Sequence, residues 1–423
     1  EGADPGGAVV GTGVLRITFV DFMRLLRTMK VTGVEHETDR LAYLARFGRM
    51  FAGNLFHIYG GVFDERNEFA PKPKYRPTRT LRTPEPELLE IPTSDGVHVR
   101  LTRYNGGTKG PVIMAPGFGV STLSFSTDTV ETNLPEYLVA NGYDAYLFDY
   151  RASPKLPSAS TSFTLDDVAT RDWPAAIAAV RERSGADTVQ PLVHCLGSAT
   201  FLMGTLSGAI DKNHVKSAIC SQLTAHPRTN IENHVKSLIR LGNMLEDLGI
   251  HSLTTDVKAK AVDELLDVAL HANPIPEDEK CHQPSCRRIF AFFGPSYKHS
   301  QLNDATHREI PQMFGVSSVK AFQHIGRMVN AGLIVDHNGG DVYWQPQHLD
   351  RLAFPIMFLA GEDNKEFFPE TSKITYDLLC EANPANLYSR KEIPGYAHMD
   401  CFVGRNAATD VFPYLLAHLE ETQ

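Results

Sequence analysis

The stretch that most constrains the fold lies at residues 189–201, where a short apolar run leads through a tight turn into a helix-like run. Cys195 occupies the turn, in the strand–turn–helix layout of a nucleophile elbow, where serine is the more usual residue. Such a turn needs small neighbours, because its backbone is strained and the following helix packs close. Gly197 meets this need, whereas Val193 stands where glycine is usual. The pattern predicts a sharp strand-to-helix turn at Cys195, with a buried structural cysteine as the alternative.

Length and composition limit the classes of protein that this chain can represent. Its 423 residues allow one large α/β domain with an insertion, or two domains. The net charge of −9 and the absence of a dense basic patch argue against nucleic-acid binding. No apolar run approaches the length of a membrane span. Because the chain begins at Glu1, we expect a processed or trimmed product.

Short apolar segments alternate with helical patterns on both sides of a central block. The segments 88–92 and 97–104, separated by a turn-forming Ser-Asp-Gly, predict an antiparallel edge hairpin. Further strands are predicted at 111–115, 143–150, 188–194, 218–221, 355–360 and 385–393. Helices are predicted near 130–141, 166–183, 198–208 and 406–420. This alternation predicts an α/β fold with a mostly parallel sheet that helices cover on both faces.

The alternation stops in the central block, where the pattern is helical and no clear strand is predicted. Its amphipathic segments lie at 228–249, 256–272, 301–313 and 316–333. An insertion between strands of a parallel sheet lies over the carboxyl edge, where ligands bind. We therefore predict an N-terminal helical extension and connector (1–85), a core (86–222 and 351–423) and a helical cap (223–350).

Three residues follow strands in a chain order that is characteristic of catalytic triads. Cys195 comes first, Asp363 follows a later strand, and His398 lies on a loop before the last helix. The imidazole and the helix N-terminus would favour the Cys195 thiolate, and the Asp363 carboxylate would orient His398. Each of the three residues also has a non-catalytic interpretation. Asp363, for example, lies in a Gly/Asp/Asn turn, where an aspartate often only stabilises the turn.

A second loop is expected to complete this site. Ala115 is followed by Pro-Gly-Phe-Gly directly after a buried strand. In triad enzymes of this layout, one oxyanion-hole N–H comes from such a loop and the other from the residue after the nucleophile. We assign these donors to the backbones of Phe118 and Leu196. A plain Pro-Gly turn is the alternative.

With these residues placed, the chain resembles the α/β-hydrolases. Residues 314–318 (FGVSS), 322–324 (FQH) and 336–339 (DHNG) resemble the cap of acid lipases. Residues 194–198 (HCLGS), 286–289 (CRRI) and 395–401 (GYAHMDC) are more similar to a hydrolase domain that is fused to GMC-type, cholesterol-oxidase-like oxidoreductases. Residues 13–17 (GVLRI) and 21–24 (DFMR) resemble the segment that joins the two halves of those fusions. The resemblance implies an α/β-hydrolase fold and a Cys195 nucleophile.

Acyl transfer is the expected chemistry, with Cys195 attacking an ester, lactone or thioester. A hydrophobic substrate is expected from the apolar residues of the block 223–350, among them Leu238, Phe314 and Phe322. Hydrolysis and transfer to another acceptor both remain open, as do a binding or scaffold protein on the same fold and a cyclase or lyase reaction in the same pocket. No cofactor is expected. Residues 1–60 would mediate docking to an oxidoreductase or self-association.

Two further cysteines lie close together in the central block. Cys281 and Cys286 could bridge, or share a metal ion with His282. Zinc sites usually bring a second pair of ligands, and none stands at the usual spacing in the sequence. We therefore expect a structural pair, reduced or bridged according to compartment.

Overall fold

An eight-stranded sheet forms the centre of the computed structural model. The structure describes residues 78–238, 240–247, 251–255, 277–279, 281, 283–385 and 388–423. Most of the predicted N-terminal extension, including residues 1–60, and the predicted helix at 256–272 lie outside the described residues.

The strands agree closely with the predicted segments, because each is a short apolar or alternating run. Along the chain the strands are β1 Glu87–Pro92, β2 His98–Asn105, β3 Pro111–Ala115, β4 Asp144–Asp149, β5 Gln190–His194, β6 Ala218–Ser221, β7 Ser252–Thr254, β8 Val316–Ser318, β9 Ile356–Gly361 and β10 Tyr388–Ile393. The large sheet has the order β1-β2-β4-β3-β5-β6-β9-β10. Strand β2 runs antiparallel to β1 and β4, and the other neighbours pair in parallel. This topology, with a strand–turn–helix elbow after β5, confirms the predicted α/β-hydrolase fold.

Helices cover both faces of this sheet. They are α1 Leu123–Ser126, α2 Leu134–Ala140, α3 Leu165–Asp167, α4 Trp173–Ser184, α5 Leu196–Ser207, α6 Ile231–Leu238, α7 Leu241–Asp247, α8 Pro284–Phe292, α9 Asp304–Met313, α10 Val319–Ala331, α11 Glu370–Ala382, α12 Asp400–Val403, α13 Ala407–Asp410 and α14 Phe412–Glu421. Strand β3 shows why both faces need cover: Ile113 packs into one hydrophobic cluster, and its neighbours Val112 and Met114 pack into another. A strand buried on both faces has no polar side, so its sequence is continuously apolar. No helix of the described residues is long and apolar enough to span a membrane.

The segment between β6 and β9 differs from the prediction in three places. Strands β7 and β8 form a small antiparallel ribbon, so the expectation that no strand interrupts this block is wrong. The helix predicted from residue 316 begins at Val319, because residues 316–318 pair with β7 instead. Helix α8, which was not predicted, begins with Pro284 in its first turn, a position that proline favours.

Candidate functional site

Cys195 lies on a strained turn between β5 and α5. Its backbone has φ 52° and ψ −119°, a conformation that residues with a side chain rarely adopt. Helix α5 approaches the loop after β3 so closely that a Cβ on Gly197 would lie 2.7 Å from the carbonyl oxygen of Pro116. The elbow forms although Val193 stands where glycine is usual, because the Val193 side chain is buried in the hydrophobic core.

Two backbone amides lie near the Cys195 sulfur. The N–H groups of Leu196 and Phe118, the two predicted donors, lie close enough to this thiol to lower its pKa. The loop that carries Phe118 is held by the buried Tyr150, whose hydroxyl donates to the carbonyls of Pro116 and Gly117 at 3.0 Å each. Both predicted donors therefore lie near the sulfur.

The protonation state of Cys195 differs from the expectation. Its side chain is buried, and burial, followed by the nearby Glu366, raises the pKa of the thiol well above its usual value. The two amides act in the opposite direction but do not offset burial. Cys195 is therefore a thiol in the free protein, and its surroundings do not favour the thiolate as the sequence led us to expect.

His398 lies beside Cys195 with its ring orientation fixed by Asn364. The Asn364 Oδ1 accepts the backbone N–H groups of Glu366 and Phe367 at 3.0 and 3.1 Å. Its Nδ2 donates to Gln222 Oε1 at 2.8 Å and lies 3.1 Å from Nδ1 of His398. Because Nδ2 can only donate, Nδ1 of His398 accepts, and the ring proton sits on Nε2. Burial, followed by the neighbouring His194, lowers the pKa of His398 well below its usual value, so the ring is neutral.

Asp363 does not occupy the position predicted for it. Its partly exposed carboxylate pairs with Lys298, and its backbone N–H donates to the carbonyl of Tyr396 at 2.8 Å. The next residue, Asn364, turns inward to the imidazole instead. The orienting role assigned to Asp363 is therefore corrected: an amide at Asn364, and no carboxylate, lies at Nδ1 of His398.

Glu366 is the carboxyl group that lies near the thiol and the imidazole, and sequence reasoning missed it. One oxygen accepts from the Ser296 hydroxyl at 2.6 Å, and Oε1 lies 3.6 Å from Nε2 of His398. Single side-chain atoms of Cys195, Glu366 and His398 all lie within 4.8 Å of one another; we call these three residues the cavity cluster. Burial raises the pKa of Glu366 to about 8, so its protonated form predominates at neutral pH. The signal in the sequence was an acidic residue directly before two phenylalanines.

A cavity of about 560 Å³ opens above the cavity cluster. Its volume is in the range of small-molecule sites. The apolar residues of the wall include Phe118, Phe293 and Phe322. Its basic residues include Lys236 and Arg327. The wall combines core residues with residues of the segment between β6 and β9.

Comparisons with known proteins give distant likenesses. No protein-family model matches the chain. It is 23% identical to mouse lipase member K over 339 residues, which are 74% of this chain and 80% of the lipase. It is 22% identical to human lipase member K over 373 residues, 79% and 88% of the two chains. Among solved structures, it is similar to DcsB in complex with its substrate analogue, with 15% identity, a TM-score of 0.49, and coverage of 80% of this chain and 100% of the other. The fold assignment rests on the strand order and the elbow of the chain itself.

Proposed function

We propose that this protein is an acyl-transfer enzyme, an ester hydrolase or acyltransferase, that forms an acyl–cysteine intermediate at Cys195. The observation that carries the proposal is that the Phe118 and Leu196 amides both act on the Cys195 thiol, and that all three residues line one cavity. Amides at this position would hold the oxyanion that forms when the sulfur attacks a carbonyl. The distant likeness to two lipases supports an ester as the substrate.

The proton of the thiol needs an acceptor, and Glu366 is suited to that task. Because Asn364 donates to Nδ1, the resting His398 carries its proton on Nε2 and has no free lone pair toward the sulfur. The ionised Glu366 carboxylate takes the thiol proton while the sulfur bonds to the carbonyl carbon. A pKa of about 8 suits a group that accepts and returns a proton near neutral pH. His398 then serves as a hydrogen-bond donor to the charge that develops at the cluster.

The remaining steps of the reaction return Glu366 and Cys195 to their starting protonation states. The alkoxide leaving group takes the proton from Glu366 as its bond to the carbonyl carbon breaks, which leaves a thioester on Cys195. Water or another acceptor loses a proton to Glu366 as it attacks the thioester. The Cys195 thiolate leaves and recovers that proton. Hydrolysis and transfer differ only in the acceptor that the cavity admits.

The cavity wall supports an amphipathic substrate with a large apolar part. Of the apolar residues that the sequence indicated, Phe322 lines the cavity, whereas Phe314 is buried in a separate hydrophobic cluster and Leu238 is partly exposed. Lys236 and Arg327 would favour a polar or anionic group on the substrate. We further propose that residues 223–350 act as a cap, because they supply much of this wall.

Replacement of Cys195 by Ala tests this mechanism. With a chromogenic ester of a medium-chain fatty acid, we expect kcat/KM to fall by at least about 10³-fold, because the covalent route is lost. The matched control is Cys220→Ala, which removes a buried thiol from β6 and should retain activity. Unchanged activity in Cys195→Ala would overturn the proposal. A folded wild-type chain that neither turns over nor becomes acylated would favour the scaffold alternative.

A second candidate is acid–base chemistry in the same cavity without a covalent step, such as a cyclisation or an elimination. The observation that favours it is the buried Glu366 carboxyl, with a pKa of about 8, beside an oriented imidazole. Turnover that survives Cys195→Ala but is lost in Glu366→Gln would select this candidate over the acyl–cysteine route.

A further inference from the structure

Four metal-binding side chains meet away from the cavity cluster. Cys281, Cys286, His299 and His307 each offer one sulfur or ring nitrogen, and these atoms all lie within 4.8 Å of one another. We call them the four-ligand cluster. Cys286 lies in the first turn of α8, His299 in the turn before α9, and His307 within α9. The fold thus supplies the second ligand pair that the sequence spacing did not reveal.

We propose that the four-ligand cluster is a structural zinc site. Two thiolates and two imidazoles are a donor set that Zn²⁺ prefers, in tetrahedral geometry. Zinc–ligand bonds of about 2.0–2.3 Å place neighbouring ligand atoms roughly 3.3–3.8 Å apart. The Cys286 sulfur and Nε2 of His307 are 3.3 Å apart, close to this spacing. A contraction of about 1.5 Å at most would bring the whole set to tetrahedral distances.

The surroundings of His299 provide a second observation that points to a metal. Its Nδ1 lies 2.7 Å from a carboxylate oxygen of Glu279, which also accepts the His299 backbone N–H at 2.9 Å. Because Nδ1 donates to this carboxylate, the lone pair lies on Nε2. Within the described residues, that buried Nε2 has no hydrogen-bond partner. A carboxylate behind a ligating histidine is the usual support of zinc-bound imidazoles.

A closed site of this kind would be structural, since all four positions are filled by protein atoms. Binding would release the two thiol protons to solvent as the two Zn–S bonds form. The ion would join α8, the turn at His299 and α9. Helix α8 leads to Phe293 in the cavity wall, and Ser296, three residues before His299, hydrogen-bonds Glu366. The proposed metal site is therefore connected to the cavity through Phe293 and Ser296, but it does not depend on the reaction proposed there.

The direct test is the metal content of the full chain purified from zinc-supplemented cells without chelators. We expect about one zinc ion per chain by elemental analysis, and less than about a tenth of that in Cys286→Ser. The matched control is Cys380→Ser, which changes a cysteine on α11 outside the cluster and should retain the metal. Cys195→Ala should retain it as well, which separates this site from the cavity cluster.

A cobalt measurement keeps the test valid if Cys286→Ser folds poorly. The wild-type chain, loaded with Co²⁺ in place of Zn²⁺, should show the strong visible absorption of tetrahedral cobalt with a thiolate charge-transfer band. A wild-type chain that contains no zinc and gives no such spectrum would overturn the proposal. Equal zinc in wild type and folded Cys286→Ser, or a Cys281–Cys286 disulfide in a metal-free chain, would do so too.

Discussion

The cavity cluster and the four-ligand cluster combine the same side chains, cysteine and histidine, but their carboxylates lie in opposite places. In the four-ligand cluster Glu279 lies behind His299, at Nδ1, and leaves a lone pair on Nε2. In the cavity cluster Glu366 lies in front of His398, near Nε2, and the amide of Asn364 lies behind it. We therefore assign the two imidazoles different proposed roles, a metal ligand where the carboxylate lies at Nδ1 and a hydrogen-bond donor where an amide lies there.

The second difference is whether the cysteine sulfur faces a cavity. Cys195 lines a cavity, so one side of its sulfur can receive a substrate. Cys286 is buried in a hydrophobic cluster with Ile289 and Phe290, and its sulfur meets other ligands. On our two proposals, the role of each cluster follows from what lies beside its cysteine sulfur. That is a substrate at Cys195 and further protein ligands at Cys286.

Glu366→Gln should give the largest effect and should act on one cluster alone. The amide keeps the size of the side chain but cannot accept the thiol proton, so we expect kcat/KM to fall by about 10²–10⁴-fold. In wild type kcat/KM should rise as pH increases through about 8, where Glu366 ionises, and this rise should be absent in the variant. Steady-state kinetics from pH 6 to 9 measure both effects. A variant with the wild-type pH profile would remove Glu366 from the mechanism, and its zinc content should be unchanged in either case.

The same substitution should change stability in a pH-dependent way. Glu366 has a folded-state pKa of about 8 against an ordinary value of 4.5, so the folded state binds the proton more tightly than the unfolded state does. At low pH Glu366 is protonated in both the folded and the unfolded state, so its burial as a carboxylate costs no stability. The loss of free energy of unfolding develops as pH rises from about 4.5 and is complete above about 8. We expect the free energy of unfolding of wild type to fall by about 3–5 kcal/mol relative to Glu366→Gln across that range. Parallel denaturant titrations at pH 5 and pH 8.5 measure this difference, and a constant difference would show that folding does not raise the pKa of Glu366.

Glu279→Gln is the corresponding change in the four-ligand cluster. It should weaken zinc affinity by about 10–100-fold, because the amide supports the His299 imidazole less well than the carboxylate does. Competition with a chromophoric chelator measures the affinity. The kcat/KM for an acyl ester should stay near the wild-type value at saturating zinc. A loss of activity with no change in zinc affinity would break the proposed division between the clusters.

Asp363→Asn should give the smallest effect. The side chain is partly exposed and pairs with Lys298 away from His398, and such ion pairs contribute little. We expect less than about a twofold change in kcat/KM. A fall comparable to that of Glu366→Gln would show that Asp363, as first inferred from chain order, orients the histidine after all.

The sequence predicted the sheet well because its strands are short, apolar and bounded by turn residues. The eight strands of the large sheet are found within a few residues of their predicted places, and Cys195 lies on the predicted elbow. The residue that orients His398 was missed by one position, because Asp363 was predicted and the amide of Asn364 lies there instead. Chain order points to the turn after β9, but which side chain of that turn faces inward depends on local backbone geometry, and there Asn364 faces His398.

The second pair of proposed zinc ligands, His299 and His307, was missed for a different reason. His299 and His307 stand eight residues apart, beyond the usual spacing of paired histidine ligands. They meet the cysteines only because the turn at His299 folds α9 back against α8. Tertiary packing of this kind leaves no local pattern in the sequence.

The central claim is that Cys195 carries the acyl group during turnover. Intact-mass spectrometry of the chain, quenched with acid during reaction with activated esters of increasing chain length, measures this directly. We predict a mass gain of one acyl group that maps to the Cys195 peptide, is released by neutral hydroxylamine as a thioester is, and is absent in Cys195→Ala. Sustained turnover with no adduct at Cys195, or an adduct on another residue that persists in Cys195→Ala, would contradict the account.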